Sequence, residues 1–257
     1  MPAPVVRLSH AQSPGSTGVA TLIATAQPRT PLTRIPTAAE LDAMARITAA
    51  KLRRLANNRV SAENIAAYAA ALETHRRRGE INTPLRVSHF LAQLSHECMR
   101  FGRMVESFKY KPAGAVATFS KLESEQHATD LLAEDTTGEA FANLVYATSN
   151  GNNQPGDGYR FRGRGFIQLT GRDNYKSMSD KLLDRSIDLV ADPDRAAEPD
   201  IAARIAVAFW TNRKINAIAD LDDVSKVTRI VNGRALKGLE DRRQLLEIAR
   251  TTFYPKA

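Results

Sequence analysis

A chain of 257 residues, 43% hydrophobic and 25% charged, has the apolar material for one large globular domain or two small ones. Its single cysteine, Cys98, excludes an intramolecular disulfide, so the fold rests on its core, which suits folding in a reducing cytoplasm. Lys and Arg number 36 against 28 Asp and Glu; the formal +8 favours polyanions without choosing among nucleic acid, acidic lipid and an anionic cell wall.

Residues 1–36 are rich in Pro, Ser, Thr, Ala and Gly and lack sustained periodicity, which reads as a flexible tail. The apolar stretch from Gly18 to Ala26 is too short to span a bilayer, so no stable membrane anchor is expected. Ala24-Thr25-Ala26 imitates a leader cleavage site, but Arg7 lies far upstream and Pro14 and Gly15 intervene, which argues against a signal peptide.

From residue 37 the chain reads as helices. Thr37 and Glu40 have the form of a capping box ahead of Leu41, Met44, Ile47 and Leu52. Ser61 can cap a second helix that runs to about Arg78 and stops at Gly79. Pro84 suits a first helical turn. Val87, Leu91, Leu94, Cys98 and Phe101 then form an apolar stripe, with Gly102 as its expected end. Further helices are expected over 138–147, 200–213, 222–231 and 239–253. Strand signals are few, and 159–170 is expected to be a short extended piece or an ordered loop. The fold class is mainly α.

Two carboxylates stand out. Glu97 lies at the edge of the apolar stripe, where partial burial would raise its pKa towards that of a general acid near neutral pH. The plainer alternative is a surface ion pair with Arg100 or Arg103. Glu106 follows nine residues later. On one unbroken helix it would sit on the opposite face, about 13 Å further along. For the two to share a substrate the helix must break, and Gly102 offers the place. His96-Glu97 also invites a zinc reading, but the metalloprotease pattern needs a second His where Arg100 stands. His89 brings no further ligand pattern, so no metal is expected.

The segment Gly156-Asp157-Gly158-Tyr159-Arg160-Phe161-Arg162-Gly163-Arg164-Gly165-Phe166-Ile167-Gln168-Leu169-Thr170 is dense in Gly, Arg and aromatics. An RNA-binding Arg-Gly element would repeat in low-complexity surroundings, whereas this one occurs once and runs into an apolar stretch. No Gly-Lys-Ser/Thr follows, which excludes a P-loop. The glycines allow tight backbone paths. If the segment is extended, Gln168 and Thr170 point to one face, where an amide and a hydroxyl can orient a sugar and a water.

His96-Glu97, the run Gly163 to Thr170 followed by Asn174-Tyr175, and Ile230-Val231-Asn232-Gly233 together resemble the signature of family 19 glycoside hydrolases, which include plant-type chitinases and phage endolysins. Asp192-Pro193-Asp194 and the stretch Ala202 to Trp210 resemble the family's later helix. The likeness covers about residues 40–253. It implies a lysozyme-like, two-lobed helical domain over 37–257, with a central cleft and an inverting mechanism that uses no cofactor. By the resemblance Glu97 is the general acid, Glu106 the general base of the endolysin branch, and Thr170 a holder of the attacking water. His96, Tyr159, Gln168, Asn174, Asn232 and Arg242 are implied substrate contacts, with Arg243 as a rival to Arg242.

The chain departs from plant chitinases in the closeness of its two glutamates, its lack of disulfides, and Phe166 where they typically carry Pro. These departures point to the bacterial or phage branch. The expected partner is peptidoglycan or another GlcNAc-containing glycan, not nucleic acid. The protein is expected to be a monomer, made in the cytoplasm and acting on the cell wall after release or export. The alternatives are a chitinase, a secreted antibacterial effector with the same chemistry, and an inactive glycan-binding module.

Overall fold

A computed structural model describes residues 35–134, 136–181 and 187–254, and the tail expectation for residues 1–34 falls outside them. The described residues form α1 (Ala38–Met44), α2 (Ala49–Arg53), α3 (Ala62–Arg76), α4 (Pro84–Glu97), α5 (Pro112–Val116), α6 (Glu125–Glu134) and α7 (Glu139–Val145). They continue with α8 (Asp157–Arg160), α9 (Arg172–Lys181), α10 (Pro199–Asn212), α11 (Ile215–Ala219), α12 (Val224–Asn232) and α13 (Leu239–Phe253). Extended pairing among the described residues is limited to isolated bridges from Arg164 to Val105 and to Leu169. The protein is mainly α.

The N-terminal capping box forms: Thr37 accepts from the Glu40 amide, and the Glu40 carboxylate accepts from the Thr37 amide. The expected single helix nevertheless splits, because Thr48 caps a new one. α1 buries no residue. It is held through Asp42, which accepts from the fully buried Arg76 of α3 at 2.7 Å, while Arg76 also bonds Glu73 and the Ile81 carbonyl. Ser61 caps α3 as expected. Past α3 the left-handed residue is Glu80, not Gly79. Gly79 is there for space: a Cβ would sit 2.7 Å from Val207 Cγ1 of α10.

α4 is the central helix. Thr83 caps it and Pro84 fills its first turn. It buries residues from end to end and packs against α1, α11, α12 and α13. Phe90 meets Trp210 of α10 edge-on at 5.2 Å. This larger lobe is built on one apolar core contributed by α2–α4 and α9–α13. A second core, with Phe108, Leu122, Phe141, Val145 and Tyr146, makes a smaller lobe around α5–α8.

α4 ends at Glu97, five residues before the expected stop. Gly102 is not the break. Met99, Arg100 and Phe101 turn the chain through left-handed conformations with φ of 52°, 55° and 61°. Each such residue with a Cβ costs roughly 1–2 kcal/mol. Backbone bonds such as Arg103 to the Cys98 carbonyl hold the turn, Phe101 is buried edge-on against Phe166, and the Arg100 carbonyl accepts from the Asn57 amide at 2.7 Å. The reversed chain then lays Val105 and Glu106 beside the Gly-Arg segment, where the Glu106 amide donates to the Gly163 carbonyl at 2.8 Å.

Of the two forms expected for 159–170, an extended piece or an ordered loop, the second is found beyond α8. The segment opens in α8, and Gln168 is left-handed with φ 51°, so Gln168 and Thr170 do not alternate along a strand.

Met99 is partly exposed and pays the left-handed cost without the burial that anchors Phe101. Met99→Gly should therefore raise stability by about 1 kcal/mol in urea unfolding. A loss of similar size would show that the Met99 side chain, and not its backbone, matters to the turn.

Candidate active site

The two lobes face each other across a groove of ≈ 2090 Å³. The large lobe contributes the end of α4, α9, the C-terminal ends of α10 and α12, and the loop 233–238. The small lobe contributes 117–121 together with Val145, Tyr146, Ser149 and Asn150.

Glu97 is the last helical residue of α4, so its carboxyl sits at the negative end of the helix dipole and lines the groove. It is 1% exposed. One oxygen accepts from the Arg242 guanidinium at 2.5 Å, and the other is buried with no partner. Arg242 is itself fully buried, bonded as well to Gln93, whose amide reaches the Thr228 hydroxyl at 3.3 Å. Burial drives the Glu97 pKa above the ordinary carboxylate range, and Arg242 opposes the rise without cancelling it. The expected surface pairing with Arg100 or Arg103 is not made: Arg100 pairs with Asp241. Of the two rivals, Arg242 takes the place at Glu97, while Arg243 is half-exposed and meets Glu240 and Ser225.

Glu106 does not line the groove directly. It is 5% exposed, behind Tyr146, whose hydroxyl donates to Oε1 at 2.6 Å. The Gly163 amide donates to Oε2 at 3.0 Å. A Cβ on Gly163 would meet the Gln168 amide oxygen at 2.8 Å and Glu106 Oε2 at 3.3 Å, so only glycine lets this backbone pass so close to the carboxyl. Burial raises the Glu106 pKa as well, but Tyr146, the Gly163 amide, Arg103 and Arg162 all favour its anion. The two carboxyls thus differ in kind. Glu97 has one charged partner and a bare oxygen, and Glu106 has donors on both oxygens.

Of the other expected contacts, His96, Asn174 and Asn232 line the groove. His96 bonds Asp241 at 2.6 Å; burial and Arg242 lower its pKa, with Asp241 opposing. Its neighbour in the zinc reading, His89, is bonded instead to Asp222. Asn232 accepts from the Lys237 amide and so shapes the loop that follows α12. Asn174 donates to the Thr170 carbonyl at 2.7 Å. Thr170 and Gln168 are buried behind the groove, with the Thr170 hydroxyl donating to the Gln168 carbonyl at 3.0 Å. Tyr159 lies apart, in the small-lobe core against Phe108, with Arg162 4.0 Å over its ring.

Arg160 and Arg164 of the Gly-Arg segment serve the scaffold. Arg164 is buried between Asp194, Tyr175 and the Arg160 carbonyl, and Arg160 holds the carbonyls of Val190 and Ala191. Two members of the site had no expectation attached to them. Gln93 precedes Glu97 by one helical turn, and a polar residue inside an apolar stripe was its available signal. Tyr146 carried none, because its role depends on the small lobe folding over Glu106.

The comparisons bear on the family and the fold. The chain is 37% identical over 158 residues to a glycosyl hydrolase family 19 domain-containing protein of Haemophilus influenzae, an overlap that covers 61% of this chain and 74% of that one. A comparison with models of protein families gives no match. The fold is similar to that of chitinase C from Streptomyces griseus, with a TM-score of 0.52 at 18% identity, over 81% of this chain and 92% of the chitinase chain. The chain belongs to glycosyl hydrolase family 19, which makes a glycosidase the activity class against which its groove is read.

The Tyr146 hydroxyl favours the Glu106 anion, so Tyr146→Phe should raise the Glu106 pKa. If Glu106 must be ionised for activity, the acid limb of the kcat/KM profile then moves to higher pH. An acid limb that stays in place would separate Glu106 from that limb.

Proposed function

We propose that this protein hydrolyses the β-1,4 glycan backbone of peptidoglycan by an inverting mechanism, with Glu97 as proton donor and Glu106 as the base that activates water. The observation that carries this reading is the bare, buried Oε2 of Glu97 at the groove. A carboxyl whose pKa is raised by burial keeps its proton into the range where a glycosidic oxygen needs one. With Oε1 taken by Arg242, the proton belongs on Oε2. As the bond to the leaving oxygen breaks, that proton passes to it. Glu106, ionised and held by Tyr146 and Gly163, takes a proton from the water that attacks the opposite face of the sugar. For this the Tyr146 hydroxyl must release its bond as the water binds. Thr170 and Gln168, bonded to each other, are assigned to positioning that water, and His96, Asn174 and Asn232, which line the groove, to sugar hydroxyls.

Peptidoglycan is preferred to chitin because the chain is strongly basic and its proposed substrate is then the anionic polymer of the two. Action on the wall follows release or export, as an endolysin or a secreted effector. The second reading, chitin hydrolysis, is favoured by the fold shared with a protein named as a chitinase.

Glu97→Gln and Glu106→Gln keep the shape of each carboxyl and remove its proton chemistry. Each should slow hydrolysis of purified peptidoglycan by about 10²–10⁴-fold while glycan binding persists. An aryl glycoside with an activated leaving group should partly rescue Glu97→Gln and leave Glu106→Gln slow. Rescue of the other variant would swap the two roles. Wild-type rates for both would replace the hydrolase reading with a glycan-binding one, and faster turnover of colloidal chitin than of peptidoglycan would favour the chitinase.

A further inference from the structure

The groove is cationic out of proportion to the chemistry assigned to it. Eight Lys and Arg side chains line it against three carboxylates. Two of those carboxylates are engaged: Glu97 with Arg242, and Asp241 with His96 and Arg100. The third, Asp173, lies at the α9 start, beside Gly151. Five of the cations, Lys181, Lys214, Arg229, Arg234 and Lys237, are exposed and make no ion pair among the described residues. They are not scattered. Arg229, Arg234 and Lys237 ride on one tight turn at the end of α12, closed by the Gly233 amide on the Arg229 carbonyl and the Lys237 amide on Asn232. Arg213 reaches the Ile230 carbonyl and so brings the end of α10, with Lys214, beside that turn. Lys181 ends α9 on the same large-lobe wall.

Like charges gathered on one wall repel and gain nothing from one another. We propose that this bank is a carboxylate-recognition subsite, which selects glycan chains that carry carboxylates on their sugars beside the bond presented to Glu97. The inference rests on the glycosidase reading of the groove. A neutral GlcNAc polymer offers the bank nothing to pair with. A chain bearing lactyl groups or peptide stems offers carboxylates at the edge of the same groove that holds the sugar rings. Free phosphate polymers do not satisfy the geometry equally, because the occupant of the groove is the glycan itself and the charge must travel on that chain.

The test compares wild type with Arg229→Gln/Arg234→Gln/Lys237→Gln, all exposed positions. The substrates are soluble peptidoglycan strands with peptides, strands stripped of peptides by an amidase, strands with carboxyls converted to amides, and a neutral chitooligosaccharide. Losing three exposed charge pairs should lower the ratio of kcat/KM on carboxylated strands to that on the neutral chain by about tenfold, mainly through KM, and flatten its salt dependence. A ratio that falls only on stripped strands assigns the bank to the lactyl carboxylate that the amidase frees, one that falls only on intact strands assigns it to the stems, and one that falls on both shows that either carboxylate serves. An unchanged ratio, or an equal affinity of wild type for carboxylated and amidated strands by calorimetry, overturns the subsite. So does tighter binding of a single-stranded oligonucleotide than of the carboxylated strand. If wild type cleaves none of the four, the glycosidase reading fails, and the calorimetric comparison still decides the subsite alone.

Discussion

The buried ion pair between Glu97 and Arg242 is the constraint on which the site depends. Both side chains are withdrawn from water, and burial raises the Glu97 pKa against the opposing pull of Arg242. Removing Arg242 would take away the group that holds the carboxyl in place. The pair also joins α13 to α4, and through Gln93 and Thr228 it extends to α12. Three helices of the large lobe are thereby tied to one carboxyl. Its second oxygen is the part of the network left without a partner, on a residue that lines the groove.

The second carboxyl reaches its place through a local violation of backbone preference. Three consecutive left-handed residues follow the Cys98 cap of α4, and burial of Phe101 sustains them. Without that reversal Glu106 would continue on the far face of the helix. With it, Glu106 meets the Gly163 amide and the Tyr146 hydroxyl. Burial raises the pKa of both carboxyls, but Glu106 has donors on both oxygens and Glu97 on one, and unlike surroundings are the physical requirement for dividing acid and base roles.

Much of this was legible in the residues. The apolar spacing of α4, the caps at Thr37 and Ser61, and the extent of α13 follow from periodicity and local hydrogen bonding. The need for a helix break between Glu97 and Glu106 followed from helical phase alone. Its place did not, because Met, Arg and Phe give no local sign of a left-handed turn; packing of Phe101 on Phe166 decides it. α5, α6 and α9 were missed for a related reason. They are short or strongly polar, and their helicity comes from the small-lobe core and the groove wall more than from their own pattern. The Gly-Arg segment was noticed for its composition, yet its arginines hold backbone carbonyls and a tyrosine. One of its glycines, Gly163, clears space for Glu106. Tyr146 and the cationic wall emerge only when distant stretches are folded together.

The central claim is that the surroundings of the two glutamates set Glu97 as the protonated member and Glu106 as the ionised one. Carbon-13 NMR titration of the two side-chain carboxyls, assigned through Glu97→Gln and Glu106→Gln, measures this directly. The account predicts that Glu97 titrates above the ordinary carboxylate range and above Glu106, so that a pH interval exists in which Glu97 is neutral and Glu106 charged. Titration of Glu97 below Glu106 would contradict it.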